Sequence, residues 1–270
     1  MGGLLVHGIP EFRLPRNTIQ EAIQKVLDLG VKVELNREIG KNLELDELER
    51  EYEAILLAFG ANISSKMNID GEELNGVYGG NELLENENYP DFTGKNVAVI
   101  GGGNTAMDTA RTINRKNAGK VTVIYRRARA QMPAEDEEVE AAISEGVEFL
   151  FQNNIVKILG KDKVESIECI KTDLVKVEGD RERPVNIEGS NYNLKMDYVV
   201  MALGAKPQSS IIDKMNIKKT DKGYIEVDEN QKTSREKVFA CGDLIGAKST
   251  VAWAARSGRD AAEKIIEYLK

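Results

Sequence analysis

The sequence predicts an α/β protein made of two doubly wound domains, one inserted in the other, and three observations predict it. Short apolar, β-branched runs alternate with segments of helical periodicity along the chain, the pattern of a sheet covered by helices. One run, Asn96-Val97-Ala98-Val99-Ile100, breaks on Gly101-Gly102-Gly103 and reopens as a helix from Asn104, which is the strand, tight turn and helix of a dinucleotide-binding βα unit. Finally, one order of parts (helix, Gly-Val, alternating strand, apolar strand ending in Gly-Ala) occurs twice.

The composition permits this. The chain has 270 residues, 41% of them apolar, which is enough for a core, and 30% charged with a net charge of −8, which describes a soluble acidic protein. That balance argues against nucleic acid or an anionic membrane as partner. No apolar run approaches the roughly 20 residues that span a bilayer, and the start lacks a signal-peptide pattern, so the expected location is the cytoplasm. Cys169 and Cys241 stand far apart in sequence and cannot supply the four thiolates of an iron–sulfur cluster, so they read as buried, inert thiols.

Taken in order, residues 1–17 read as a Gly- and Pro-rich loop, and Asn17 or Thr18 caps a helix from Ile19 to about Leu29. Gly30 ends it. Val31 to Leu35 alternates as a strand, Leu43 to Arg50 is a short helix, and Ala54 to Ala58 is an apolar strand ending at Gly60-Ala61. A polar stretch leads to a helix near Asn81 to Glu87 and the glycine loop. Its helix runs from Asn104 to about Lys116 with Ala106, Thr109, Ala110 and Ile113 inward, followed by the strand Val121 to Tyr125. Helix 134–145, strand 147–151 and a meander of strands from Ile155 to about Leu194 precede the strand Tyr198 to Leu203. The chain then reads Gly204-Ala205, a strand-like Tyr224 to Val227, the apolar Val238 to Cys241 with Gly242-Asp243, and a last helix opened by Ser249 and Thr250. That helix carries Val251, Ala254, Ala255, Ala261, Ala262 and Ile265.

The repeat pairs residues 19–61 with residues 139–205. Gly101 lies 45 residues before Gly146, and the same interval before Gly30 falls ahead of residue 1. Two domains of similar build explain the repeat, and the expectation is a chain that starts inside its first domain. It is either an excised piece of a longer chain or a product that has lost an opening βα unit.

The chemistry gathers at the loop. Gly101, Gly103 and Ala106 fit Gly-x-Gly-x-x-Ala: a tight turn, close backbone approach to a pyrophosphate, and close packing of helix on strand. N–H groups at the helix start would bind phosphates, assisted by Asn104 or Thr105. Where an NAD site carries a carboxylate at the end of the second strand, this chain has Tyr125-Arg126-Arg127. Guanidinium groups bind a 2′-phosphate that a carboxylate would repel, so NADPH is preferred to NADH. Glu135 to Glu138 reads as a solvated first helical turn. His7 has no partner at ligand spacing, so neither a metal site nor a catalytic triad is expected. Asp108 fits a capping or packing role as well as a cofactor contact.

With these residues in view, the chain resembles the small (beta) subunit of NADPH-dependent glutamate synthase and its FAD/NADPH flavoprotein relatives, including the NADPH-linked subunit of electron-bifurcating ferredoxin reductases. Four stretches carry the resemblance in order: Gly2 to Pro15, Gly101 to Asp108 with Gly102 inside it, Tyr125-Arg126-Arg127 with Met132-Pro133-Ala134, and Val238 to Asp243. The resemblance implies two Rossmann-like domains of the disulfide-reductase type. Residues 1–61 and 206–270 would form a truncated FAD domain, interrupted by an NADPH domain at 62–205, with crossings at Ala58 to Ala61 and at Ala202 to Ala205, which includes Gly204. It further implies that Gly242 and Asp243 meet the ribitol and pyrophosphate side of FAD, that Thr250 and Val251 lie near its ring, and that hydride passes from NADPH to FAD without a catalytic side chain. Electrons would go on to iron–sulfur centres and a partner, the large glutamate synthase subunit or another acceptor. The family's amino-terminal iron–sulfur domain and first FAD loop have no counterpart here, so FAD is expected to be held weakly or not at all. The other reading is a non-catalytic NADP(H)-binding sensor or adaptor that has lost the flavin site.

Overall fold

The computed structural model describes residues 1–86, 89–177, 181–246 and 248–270. In chain order the elements are α1 (Gly3–His7), α2 (Arg16–Leu27), α3 (Leu45–Glu51), β1 (Ile55–Leu57), β2 (Ile63–Ser64), β3 (Val77–Gly79), α4 (Gly80–Glu85), β4 (Asn96–Ile100), α5 (Asn104–Asn114), β5 (Lys120–Tyr125), α6 (Asp136–Ser144), β6 (Glu148–Phe151) and β7 (Asn153–Leu159). They continue as β8 (Ser166–Val177), β9 (Arg181–Asn186), β10 (Tyr192–Lys195), β11 (Tyr198–Met201), β12 (Ala205–Lys206), α7 (Ser209–Lys214), β13 (Val238–Ala240) and α8 (Val251–Tyr268). The chain forms two compact units, one of Met1–Gln20 with Ser64–Gly204, the other of Glu21–Ile63 with Ala205–Lys270. Among the described residues no helix is long and apolar enough to cross a membrane.

The first unit is built on a five-stranded sheet of order β3-β11-β4-β5-β6, parallel throughout. Both faces are covered, which explains why the central strands β4 and β11 carry apolar residues on both faces rather than at alternate positions. Val97 and Val99 of β4 face a core shared with Ala106, Ala110 and Ile113 of α5. Ala98 and Ile100 face the opposite core, with Ile155, Ile158 and Ile167. That second layer is the antiparallel sheet β10-β8-β7 with β9 on β8; it is the expected meander, of which residues 178–180 lie outside the described residues. The four residues expected inward on α5 are all buried. Helix α5 ends two residues early, and Asn117 then turns the chain at φ 60°. The helix expected near 81–87 is α4, with residue 87 outside the described residues.

The second unit has a two-stranded parallel sheet, β1 on β13, in the register Ile55 to Val238 and Leu57 to Ala240. Leu45, Leu57, Ile212, Met215, Ile225, Val238 and Leu244 form its core. Arg235 ties α3 to it: it bonds Asp46 (2.5 Å), Glu49 and the Met215 carbonyl (2.9 Å).

Several expectations fail, mostly in this unit. Residues 31–35 form no strand; Val31, Val33 and Leu35 are 52%, 44% and 63% exposed, because alternation makes a strand only where a neighbouring strand accepts its hydrogen bonds. Tyr224 to Val227 reduces to one bridge between Ile225 and Lys219. Residues 1–17 are not all loop, since α1 occupies part of them. The buried line of α8 is Ser257 and Ala261, whereas Val251 is 52% exposed.

Candidate functional site

The glycine loop follows from how β4 ends. At Gly101 φ is +144°, and a Cβ there would lie 2.1 Å from the carbonyl oxygen of Ala202, so only glycine fits. At Gly102 a Cβ would lie 2.6 Å from the ring of Tyr125. Gly103 differs: its backbone is extended (φ −94°, ψ 179°), and the nearest atom to a Cβ would be Pro133 Cγ at 3.9 Å. The fold therefore requires the first two glycines and leaves the third facing open space at the start of α5. Ala106, fully buried, would stand 3.5 Å from a Cβ on Gly101, the close packing that the motif assigns to a small residue.

Helix α5 begins without a capping side chain and without an acidic residue in its first turn, so its leading N–H groups are available to an anion. Residues 125–135 fold back beside the loop. Tyr125 Oη donates to the Gln131 carbonyl (2.6 Å), the Ala134 N–H donates to the Gly102 carbonyl (3.1 Å), and Asn104 Oδ1 accepts from the Glu135 N–H (3.1 Å). Asn104 thus spends its carbonyl oxygen within the protein and keeps its amide N–H₂ for a ligand. Thr105 is half-buried.

Just past β5, Arg126 is exposed and Arg127 half-buried, and among the described residues the Nε of Arg127 is buried without a hydrogen-bond partner. Both backbones are fixed from the antiparallel sheet side: Thr172 Oγ1 donates to the Arg126 carbonyl (2.8 Å) and the Gln152 N–H to the Arg127 carbonyl (3.0 Å). Arg129 pairs with Asp136 at 2.7 Å, whereas among the described residues neither Arg126 nor Arg127 has a carboxylate partner. These anchors, and the packing of Tyr125 on Gly102, are long-range and have no pattern in the sequence; Gly102, the middle glycine of the run, is the one local sign of that packing. Gly204 sits at φ +91° with open space around it, and its carbonyl accepts from the Ser65 N–H (2.9 Å).

In the second unit, Gly242 (φ +70°) opens a 3₁₀ turn and its N–H donates to Ser257 Oγ of α8 (3.0 Å). Asp243 Oδ1 is buried without a hydrogen-bond partner among the described residues, and burial pushes this carboxyl above the usual range. Thr250 caps α8, its Oγ1 accepting from the Trp253 N–H (3.4 Å). Both cysteines are free and buried, with the Cys169 thiol pushed up to about 12 by burial and by Glu168. Among the described residues no group of three or more His, Cys, Asp or Glu could hold a metal ion.

Asp108, one turn into α5, is a buried carboxylate whose Oδ2 accepts from Arg13 Nη1 (2.7 Å). Of the readings open from sequence, the structure shows packing and ion pairing, not capping.

Comparison with known proteins adds three findings. Residues 7–258 match the pyridine nucleotide-disulphide oxidoreductase family, whose cofactors are FAD and NADPH. The chain is 38% identical over its whole length to the NADP(+)-dependent formate dehydrogenase subunit beta of Moorella thermoacetica, covering 39% of that protein. It is 35% identical to the glutamate synthase [NADPH] small chain of Azospirillum brasilense, covering 60% of it. This chain thus spans roughly two-fifths to three-fifths of those relatives. The fold matches FprA of Mycobacterium tuberculosis, solved in complex with NADPH, with a TM-score of 0.82 at 19% identity over 99% of this chain and 75% of that one.

Proposed function

The chain belongs to the pyridine nucleotide-disulphide oxidoreductase family, and from that premise we propose that it is the NADPH-binding and partial flavin-binding portion of an oxidoreductase of the glutamate synthase small-subunit type. The observation that carries the reading is the buried Nε of Arg127, which has no hydrogen-bond partner among the described residues. A guanidinium left unsatisfied inside a protein costs free energy unless a ligand completes it, and a 2′-phosphate is a ligand of the right charge and geometry.

In this reading the N–H groups of Gly103, Asn104 and Thr105 hold the pyrophosphate, and Arg126 and Arg127 hold the 2′-phosphate. Residues 62–205 act as the NADPH domain and residues 1–61 with 206–270 as the flavin portion, although residues 1–20 of that portion pack within the first unit. Asp243 accepts a hydroxyl hydrogen bond from FAD, which would satisfy its orphaned oxygen. Gly242 allows close approach, and the amino terminus of α8 at Thr250 and Val251 favours negative charge. When bound, the two cofactors supply the chemistry, hydride from nicotinamide to flavin. Electrons then pass to iron–sulfur centres and a partner subunit, as the names of relatives that are themselves subunits or small chains support. FAD is held weakly by the chain alone, since among the described residues the sheet of β1 and β13 has two strands. The same observation favours a second reading, an NADP(H)-binding sensor or adaptor without flavin.

Titration with NADPH and NADH tests the first claim. NADPH should bind the more tightly, and Arg126→Ala with Arg127→Ala should weaken NADPH about 100-fold while leaving NADH unchanged, as the loss of charge-assisted phosphate contacts requires. Equal affinity of the unmodified chain for both cofactors overturns the reading. Flavin that stays with the protein in a one-to-one ratio through gel filtration overturns the weak-FAD claim and the sensor reading together.

A further inference from the structure

A partly buried chain of alternating charge in the first unit takes no part in the proposed function. Arg13 lies in the segment between α1 and α2. Its Nη1 meets Asp108 of α5 at 2.7 Å and its Nε meets Glu138 of α6 at 3.1 Å. Arg111 bonds the other oxygen of Glu138 and also reaches Glu145 (2.8 Å), which Arg115 contacts in turn (2.7 Å). Phe12 lies against the guanidinium groups of Arg111 and Arg115, 4.7 and 4.2 Å from its ring centroid. At its start the segment 8–15 is held to α1 by the N–H groups of Gly8 and Ile9, which both donate to the Leu4 carbonyl (2.9 Å). Of its residues only Gly8 is buried, and its internal hydrogen bonds are those of one turn, with the N–H groups of Arg13 and Leu14 donating to the Pro10 carbonyl.

We propose that Arg13 and Asp108 form a pH-sensitive latch that fastens the 8–15 segment onto α5 near neutral pH and loosens it on acidification. The fastening is electrostatic, so it depends on Asp108 being ionised. Among the described residues Asp108 Oδ1 is buried without a hydrogen-bond partner. Burial raises this carboxyl to about 6, against the pull of Arg13. The charged groups facing it are Arg13 from the segment, Glu138 from α6, which pushes it up, and Arg111 from its own helix, which pulls it down. Once Asp108 takes a proton, Arg13 retains Glu138 alone. The released segment also walls a cleft of about 330 Å³ with Leu84, Thr112 and Lys116, so the latch governs the width of that cleft.

The sign separates this device from ordinary acid unfolding. Because the folded carboxyl is raised above the usual carboxylate range, its ionisation costs the fold stability as pH rises from about 4 to about 6. Acid therefore relaxes the segment while, for this group, favouring the fold as a whole. Hydrogen exchange at the amides of Arg13 and Leu14 in the full chain, corrected for intrinsic rates, reads it directly. Protection should fall at least about tenfold from pH 7.5 to pH 5, the loss of roughly one charge-assisted bond, while the amides of α5 stay protected. In Asp108→Asn it should be low at both pH values. Should that variant not fold, Arg13→Gln must give the same pH-independent low protection, with Arg13→Lys restoring part of the dependence. Equal protection of the unmodified segment at both pH values, or a pH dependence that survives Arg13→Gln or Asp108→Asn, overturns the proposal.

Discussion

In the first unit β11 has a neighbour on each side, β3 and β4, and the sheet continues through β5 to β6. In the second unit β1, its counterpart in the internal repeat, pairs with β13, and among the described residues no further strand joins them. The strands that separate β11 from β6 are β4 and β5, the two that flank the glycine loop. Among the described residues the second unit has no equivalent of that pair. Residues 31–35, which the repeat matches to 147–151, accordingly stand as an alternating apolar segment with nothing to pair against. An apolar pattern specifies a strand's faces, whereas the strand's existence depends on neighbours supplied from elsewhere in the chain.

The sharpest way to break the comparison is through the glycines of the two units. Gly101→Ala drives a Cβ into the Ala202 carbonyl at φ +144°, where both are backbone and neither can yield; it should cost more than about 4 kcal/mol and impair folding. Gly242→Ala meets nothing closer than 3.9 Å at φ +70°, so it pays only the left-handed penalty of about 1–2 kcal/mol. Urea unfolding of both variants checks this, and equal losses would mean that the second unit is as tightly built as the first.

Side chains should divide in the same way. Ile124, on β5 and buried, packs between the parallel sheet and the antiparallel layer, so Ile124→Ala should cost about 2–5 kcal/mol. Leu35→Ala removes a side chain that is mostly in solvent and should change stability by less than about 0.5 kcal/mol. A large loss at Leu35 would reveal packing that places 31–35 inside a core.

How much of this was legible in the sequence follows the same division. Strands β4, β5 and β11 and helix α5 could be read from residues, since a strand buried on both faces is apolar throughout and the glycine turn is a local signal. The loop's chemistry was legible at Gly101, Gly103 and Ala106. The pairing of Arg13 with Asp108 was not, because 95 residues separate them and nothing local marks either. Nor were Thr172 and Gln152, which fix the backbone of Arg126 and Arg127 from another sheet. The segment 31–35 misled because alternation is local and pairing is not.

A smaller effect sharpens the role of the loop itself. Gly103 has extended backbone and open space, so Gly103→Ala should leave stability within about 0.5 kcal/mol of the parent, or raise it by restricting the unfolded chain. The added methyl would occupy the approach of the pyrophosphate and weaken NADPH about tenfold or more, on the order of 1.4 kcal/mol. Calorimetric titration beside a melting curve separates the two. Unchanged NADPH affinity would mean that the ligand does not approach this face.

The smallest effect lies in the second unit, at Asp243. Burial holds its carboxyl above the usual range, so the folded state binds the proton more readily than the unfolded state. The cost of ionisation is absent below the unfolded pKa, grows as pH rises, and is complete above the folded pKa. Asp243→Asn should therefore raise the melting temperature of the flavin-free chain at pH 7.5 by no more than about 2 °C, and the gain should shrink as pH is lowered through that window. With FAD added the advantage should reverse, because the ionised carboxylate is the stronger acceptor for a hydroxyl hydrogen bond. A variant that melts lower without flavin would mean that Asp243 already has a compensating partner within the chain.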